Sequence, residues 1–113
     1  MDKEEIEVLA TTAWLFTRHG RADRALPLLE AILEEKPDDG IAAAMLADIR
    51  LSRGEADAAL DSIRKARFPK ELARAAALLE TRALKNLGRE TEAHNRWSRD
   101  VEAAKGANRK WVQ

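Results

Sequence analysis

The chain of 113 residues has two histidines, no cysteine, 20 carboxylates and 20 basic side chains from which to assemble chemistry. Without cysteine there is no disulfide framework, no thiolate metal site and no cysteine nucleophile. His19 and His94 lie far apart in the chain, and neither stands in an HExxH or His-x-x-x-His spacing that would aim two imidazoles at one metal. His19 precedes Gly20, where a helix end favours a cation, and His94 adjoins Ala93. Both read as capping or solvated residues. The carboxylate pairs Glu4-Glu5, Glu34-Glu35 and Asp38-Asp39 are sequence neighbours. Neighbours on a helix point apart, whereas acid/base catalysis needs carboxylates converging in a cleft. No glycine-rich phosphate loop, dinucleotide fingerprint or nucleophile elbow occurs. The expectation is a protein that is not an enzyme, with no cofactor and no metal.

Charge suggests a binding role but not nucleic acid. Residues 1–40 carry ten acids and five bases, and residues 41–113 carry ten acids and fifteen bases. The formal charge of zero therefore divides into −5 and +5, a dipole able to steer an oppositely polarised partner. The densest basic run is Arg64, Lys65, Arg67, Lys70 and Arg74, and Trp97, Arg99, Arg109, Lys110 and Trp111 form a basic-aromatic segment. These bases are interleaved with acids, and a pI of about 6.8 is far from that of a basic binding module. Nucleic acid is not an expected partner.

The elements that must position these side chains are helices. About one residue in five is alanine, leucine is plentiful, tyrosine is absent, and only two Phe and three Trp occur. Strong helix formers dominate while strand formers are sparse, so the chain reads as all-α. Apolar residues at 45% and charged residues at 35% suit one soluble domain. No apolar run reaches the ~20 residues of a membrane span, and the acidic start is unlike a signal peptide. Stable membrane insertion is not expected, and a cytoplasmic location is.

Gly20, Gly54 and Gly88 are spaced by 34 residues, as are Ala25, Ala59 and Ala93 and the apolar set Leu29, Ile63 and Trp97. Each glycine suits the end of a first helix, and each alanine suits a close crossing by a second. Asp23, Asp57 and Thr91 fall where they could cap the second helices. Pro37 with Asp38-Asp39-Gly40, and Phe68-Pro69, interrupt the pattern at the junctions. Six helices are predicted near 3–19, 22–36, 41–53, 56–67, 70–87 and 90–105, followed by a short tail containing Trp111.

With these anchors the chain resembles the tetratricopeptide repeat family over nearly its whole length. The resemblance implies repeats at about 6–39, 40–73 and 74–107 in one domain spanning 1–107, with 108–113 as a C-terminal tail. It also implies a short right-handed solenoid. Arg50, Glu80, Thr81 and Asp100 depart from the family's usual residue types. The stretch Ala13-Trp14-Leu15…Gly20…Arg24-Ala25…Leu28-Leu29…Ala31…Leu33…Pro37 is further similar to small bacterial type III secretion chaperones of the Y type. That similarity implies a chaperone that holds a small export substrate.

In the family, the first helix of each pair lines the concave side. Carried over by position, the groove consists of Glu7, Ala10, Trp14, Thr17 and Arg18; Ile41, Ala44, Asp48 and Leu51; and Ala75, Leu78, Arg82 and Lys85. Trp14 is either an exposed anchor or a residue packed between repeats. Ile41, Ala44, Leu51 and Leu78 are expected to form an apolar floor rimmed by Arg18, Asp48, Arg82 and Lys85. Trp97, Val101 and Trp111 are expected on an end face needing cover, because an array of repeats must be sealed. The expected partner is a protein, either a small secretion substrate or an apparatus component. The alternative is a scaffold that self-associates as a homodimer without a secretion role.

Overall fold

The computed structural model describes residues 1–112, and side chains through Gly106. Six helices run in order: α1 (Lys3–Arg18), α2 (Ala22–Glu35), α3 (Gly40–Ser52), α4 (Ala56–Lys65), α5 (Ala73–Asn86) and α6 (Glu90–Val112). No strand occurs among the described residues. The helices pair as antiparallel hairpins, α1 with α2, α3 with α4 and α5 with α6. At each hairpin turn stands one of the periodic glycines, with φ of +73° at Gly20, +77° at Gly54 and +76° at Gly88. Side chains other than hydrogen resist that left-handed backbone, which is why the turn selects glycine. The crossing alanines Ala25, Ala59 and Ala93 are fully buried.

The hairpins stack in sequence. Helix α3 packs on α1 and α2, and α5 packs on α3 and α4. First helices therefore touch one another, whereas no comparable contact joins α2 to α4 or α4 to α6. The array accordingly curves toward the first helices. Two cores result. One gathers Ala13, Ala25, Leu29, Ala42, Leu46 and Ile49 with partly buried Leu9 and Phe16. The other gathers Ala47, Leu51, Leu60, Ile63, Leu79 and Leu84 with partly buried Phe68. The radius of gyration, 15.2 Å, exceeds the about 13 Å of a compact domain of this length, as an open array should.

Several expectations need correction. Helix α4 stops at Lys65, not 67, because the chain turns extended at Ala66 ahead of Phe68-Pro69. Residues 70–72 form a single 3-10 turn before α5 proper. Helix α6 continues to Val112 where an end near 105 was expected, since no proline intervenes and Gly106 lies within the helix. Neither α2 nor α4 has a side-chain N-cap: Asp23 pairs with Arg21, and only Asp57 meets a backbone N–H, that of Ala58. The capping aspartates serve first helices instead, Asp2 accepting from Glu5 N and Asp39 from Ala42 N.

The atypical third-hairpin residues are accommodated by polar contacts. Glu80 forms an ion pair with Arg96 at 2.9 Å and faces Arg64 at 3.7 Å. Buried Thr81 donates to the Ala77 carbonyl at 2.7 Å. Asp100 pairs with Arg74 at 3.6 Å. Arg50, at a position usual for an aromatic, donates to the Ser62 hydroxyl at 2.8 Å.

Candidate protein-binding groove

A repeat of 34 residues places equivalent side chains in rows that run across α1, α3 and α5. Trp14, Asp48 and Arg82 form one such row, and Ala10, Ala44 and Leu78 form another. A third joins Thr17, Leu51 and Lys85, and a fourth joins Glu7, Ile41 and Ala75. Because first helices lie against one another, these rows run side by side across α1, α3 and α5.

Trp14 is exposed, at 47% of its full accessibility, so it is not a packing residue. The Arg18 guanidinium stands 4.9 Å from its ring centroid, one helical turn on. That cation–π contact, worth about 0.5–1 kcal/mol at an exposed site, restrains a large amphipathic ring without hiding it. Ile41 and Leu78 are exposed to a similar degree, 51% and 47%. Ala10, Thr17 and Ala44 are half-buried between the apolar side chains and the helix backbones. Thr17 donates its hydroxyl to the Ala13 carbonyl at 2.9 Å, so its donor is already used within α1. Glu7, Asp48, Ala75, Arg82 and Lys85 are exposed.

Asp48 and Arg82, one repeat apart, meet across the α3–α5 seam at 3.1 Å. An exposed pair of this kind contributes about 0–1 kcal/mol, so it orders the surface more than it stabilises the fold. Leu51 is a correction. It was expected on the floor, but it is 6% exposed and belongs to the core beneath α4 and α5. The following hairpin covers that position, whereas the equivalent Lys85 is exposed.

Reading the helices alone missed the junction residues. Lys3, Ile6, Lys36 and Asp39 join Glu7, Ala10 and Ile41 around a cleft of about 420 Å³ between α1 and α3. Lys36 and Asp39 stand in the turn ahead of α3, which helix-face arithmetic does not place. A second cleft, about 320 Å³, opens between α5 and α6 and includes Leu78, Lys85, His94 and Trp97. Trp97, expected on an end face, is 38% exposed there. Val101 is half-buried, and Trp111, named with it, lies outside the residues whose side chains are described.

Two exposed ion pairs away from the groove shift one another's titration. Hydrogen bonding to Arg21 lowers Asp23 and raises Arg21, and hydrogen bonding between Arg89 and Glu92 does the same for that pair. Among the described residues no group of three His, Cys, Asp or Glu could hold a metal ion, and no helix is long and apolar enough to cross a membrane.

A family profile described as tetratricopeptide repeat matches residues 16–81. That span runs from the end of α1 through α2, α3 and α4 into α5. Comparison with curated proteins finds no match.

Proposed function

The chain belongs to the tetratricopeptide repeat family, and on that premise we propose that it binds a protein partner by receiving an amphipathic helical segment along α1, α3 and α5. The observation that carries this reading is the exposure of Trp14, Ile41 and Leu78 on three neighbouring helices. An amphipathic helix presents apolar anchors every three or four residues, and a floor of spaced apolar side chains is the surface that receives them. Asp48, Arg82 and Arg18 stand among those side chains and supply polar orientation. Aromatic residues restrained in this way are frequent binding hot spots.

The occupant we favour is a small export substrate held soluble before secretion, as by a type III secretion chaperone. Support for this finer reading is the Ala13-Trp14-Leu15 segment and its surrounding pattern. The exposure of Trp14, which is not buried in the core, supports the same reading. A chaperone of this kind acts by occupancy: it removes the substrate's apolar stripe from water and thereby prevents self-assembly of the substrate.

Calorimetry against the proteins encoded beside this chain tests the proposal. Trp14→Ala should weaken binding by about 2 kcal/mol or more. Its helicity should be unchanged, because the ring is half-exposed. Arg82→Ala should act chiefly on association rate and its salt dependence. Parental affinity in a folded Trp14→Ala would move the interface off the first helices.

A further inference from the structure

The stacking that builds the array leaves two complementary faces uncovered. In the second hairpin, α5 is received by a socket made from α3 and α4 that includes Leu51, Leu60 and Ile63. Every residue lining the cleft between α5 and α6 lies 34 positions after a residue of that socket. Lys85 stands for Leu51, His94 for Leu60 and Trp97 for Ile63. The cleft is thus a third copy of the helix-receiving socket, open where the second is filled.

The inserting face is repeated as well. Ala42 and Ile49 on α3 bury against the first hairpin, at 0% and 4% exposure. Their equivalents on α5, Ala76 and Ala83, are 5% and 0% exposed. On α1 the same two positions hold Val8 and Leu15, at 64% and 47% exposure. A face meant for water would carry polar side chains here, yet these are larger apolar residues than their buried counterparts on α5.

We propose that a second copy of this chain docks its α1 into the cleft between α5 and α6, so that copies stack head to tail in the register of the repeat. Charge complementarity supports that occupant, because residues 1–40 sum to −5 and residues 41–113 to +5. Within the register, α5 starts just beyond the end of α4. A docked α1 therefore brings Glu4 and Glu5 toward the middle of α6, where Arg99 and Lys105 stand with Asp100 and Glu102. The contact is heterologous: it uses the inserting face of one copy and the socket of the other, leaving a dimer with one of each exposed, so it propagates beyond a dimer. Val8, Leu15 and Trp97 lie outside the groove, whereas Leu78 and Lys85 border both the groove and the socket.

Sedimentation velocity over a wide concentration range tests this with two variants. The native chain should grow with concentration past the dimer. Leu15→Glu and Trp97→Glu should each weaken self-association at least about tenfold. An equimolar mixture of the two should recover a dimer that grows no further, because one variant keeps its socket and the other its inserting face. Should Trp97→Glu melt early, His94→Glu, on the socket and outside the groove, replaces it as the socket variant. A native chain that stays monomeric overturns the proposal, as does association that survives either variant or a mixture that fails to pair. A closed dimer abolished only by Leu15→Glu would also overturn it, in favour of two α1 faces meeting each other.

Discussion

The second and third hairpins follow one backbone plan, yet the same positions hold different chemistry in each. In the second, Leu51, Leu60 and Ile63 are buried beneath α5. In the third, Lys85, His94 and Trp97 occupy those positions around an open cleft. The glycine turn and the crossing alanine are unchanged between them, with Gly54 and Gly88 both at positive φ and Ala59 and Ala93 both fully buried. Residues that set the angle within a hairpin are thus repeated, while residues facing the next hairpin vary with what covers them.

The largest expected effect breaks that comparison directly. Leu60→Ala should cost about 2–5 kcal/mol in a denaturant titration, through lost burial and the cavity left behind. His94→Ala, its equivalent in the open socket, should stay within about 0.5 kcal/mol. Equal losses would mean that the third socket is covered.

A glycine pair gives the next effect. A Cβ on Gly40 would stand 2.5 Å from the Arg67 carbonyl and 3.1 Å from Phe68 Cα, where backbone meets backbone. Gly40→Ala should therefore destabilise by about 1–3 kcal/mol. Gly106, inside α6 with nothing near its Cβ position, should respond oppositely. Gly106→Ala should stabilise by about 0.5–1 kcal/mol through helix propensity.

Smaller effects separate the ion pairs of the two hairpins. Glu80, only 13% exposed between Arg64 and Arg96, should lose about 1–2 kcal/mol on replacement by Gln, between the values for exposed and buried pairs. Asp48→Asn breaks an exposed pair with Arg82 and should cost less than about 1 kcal/mol, with the difference shrinking in high salt.

The backbone plan was legible because glycine turns and crossing alanines have one residue type each that fits, and both recur at a fixed spacing. Helix ends were less legible. Nothing in residues 100–112 stops a helix, and Gly106 alone does not. The Asp23 cap failed because Arg21, two residues away, holds the carboxylate instead. Gly40 could not be read as a close approach, since its neighbour is the far junction around Arg67, joined through Asp38 O at 2.8 Å. In the groove, Trp14, Ile41 and Leu78 were placed by helical position and are exposed. Leu51 was misplaced for a definite reason. Its exposure depends on the following hairpin, which a position within one repeat does not encode.

We propose that partners are received on the face shared by α1, α3 and α5. Hydrogen exchange by mass spectrometry, with and without a bound partner, tests it most directly. Slowed exchange is expected along residues 7–18, 41–48 and 75–82, with α2 and α4 unchanged. Protection confined to α2 and α4, with the first helices exchanging as in the free chain, would contradict it.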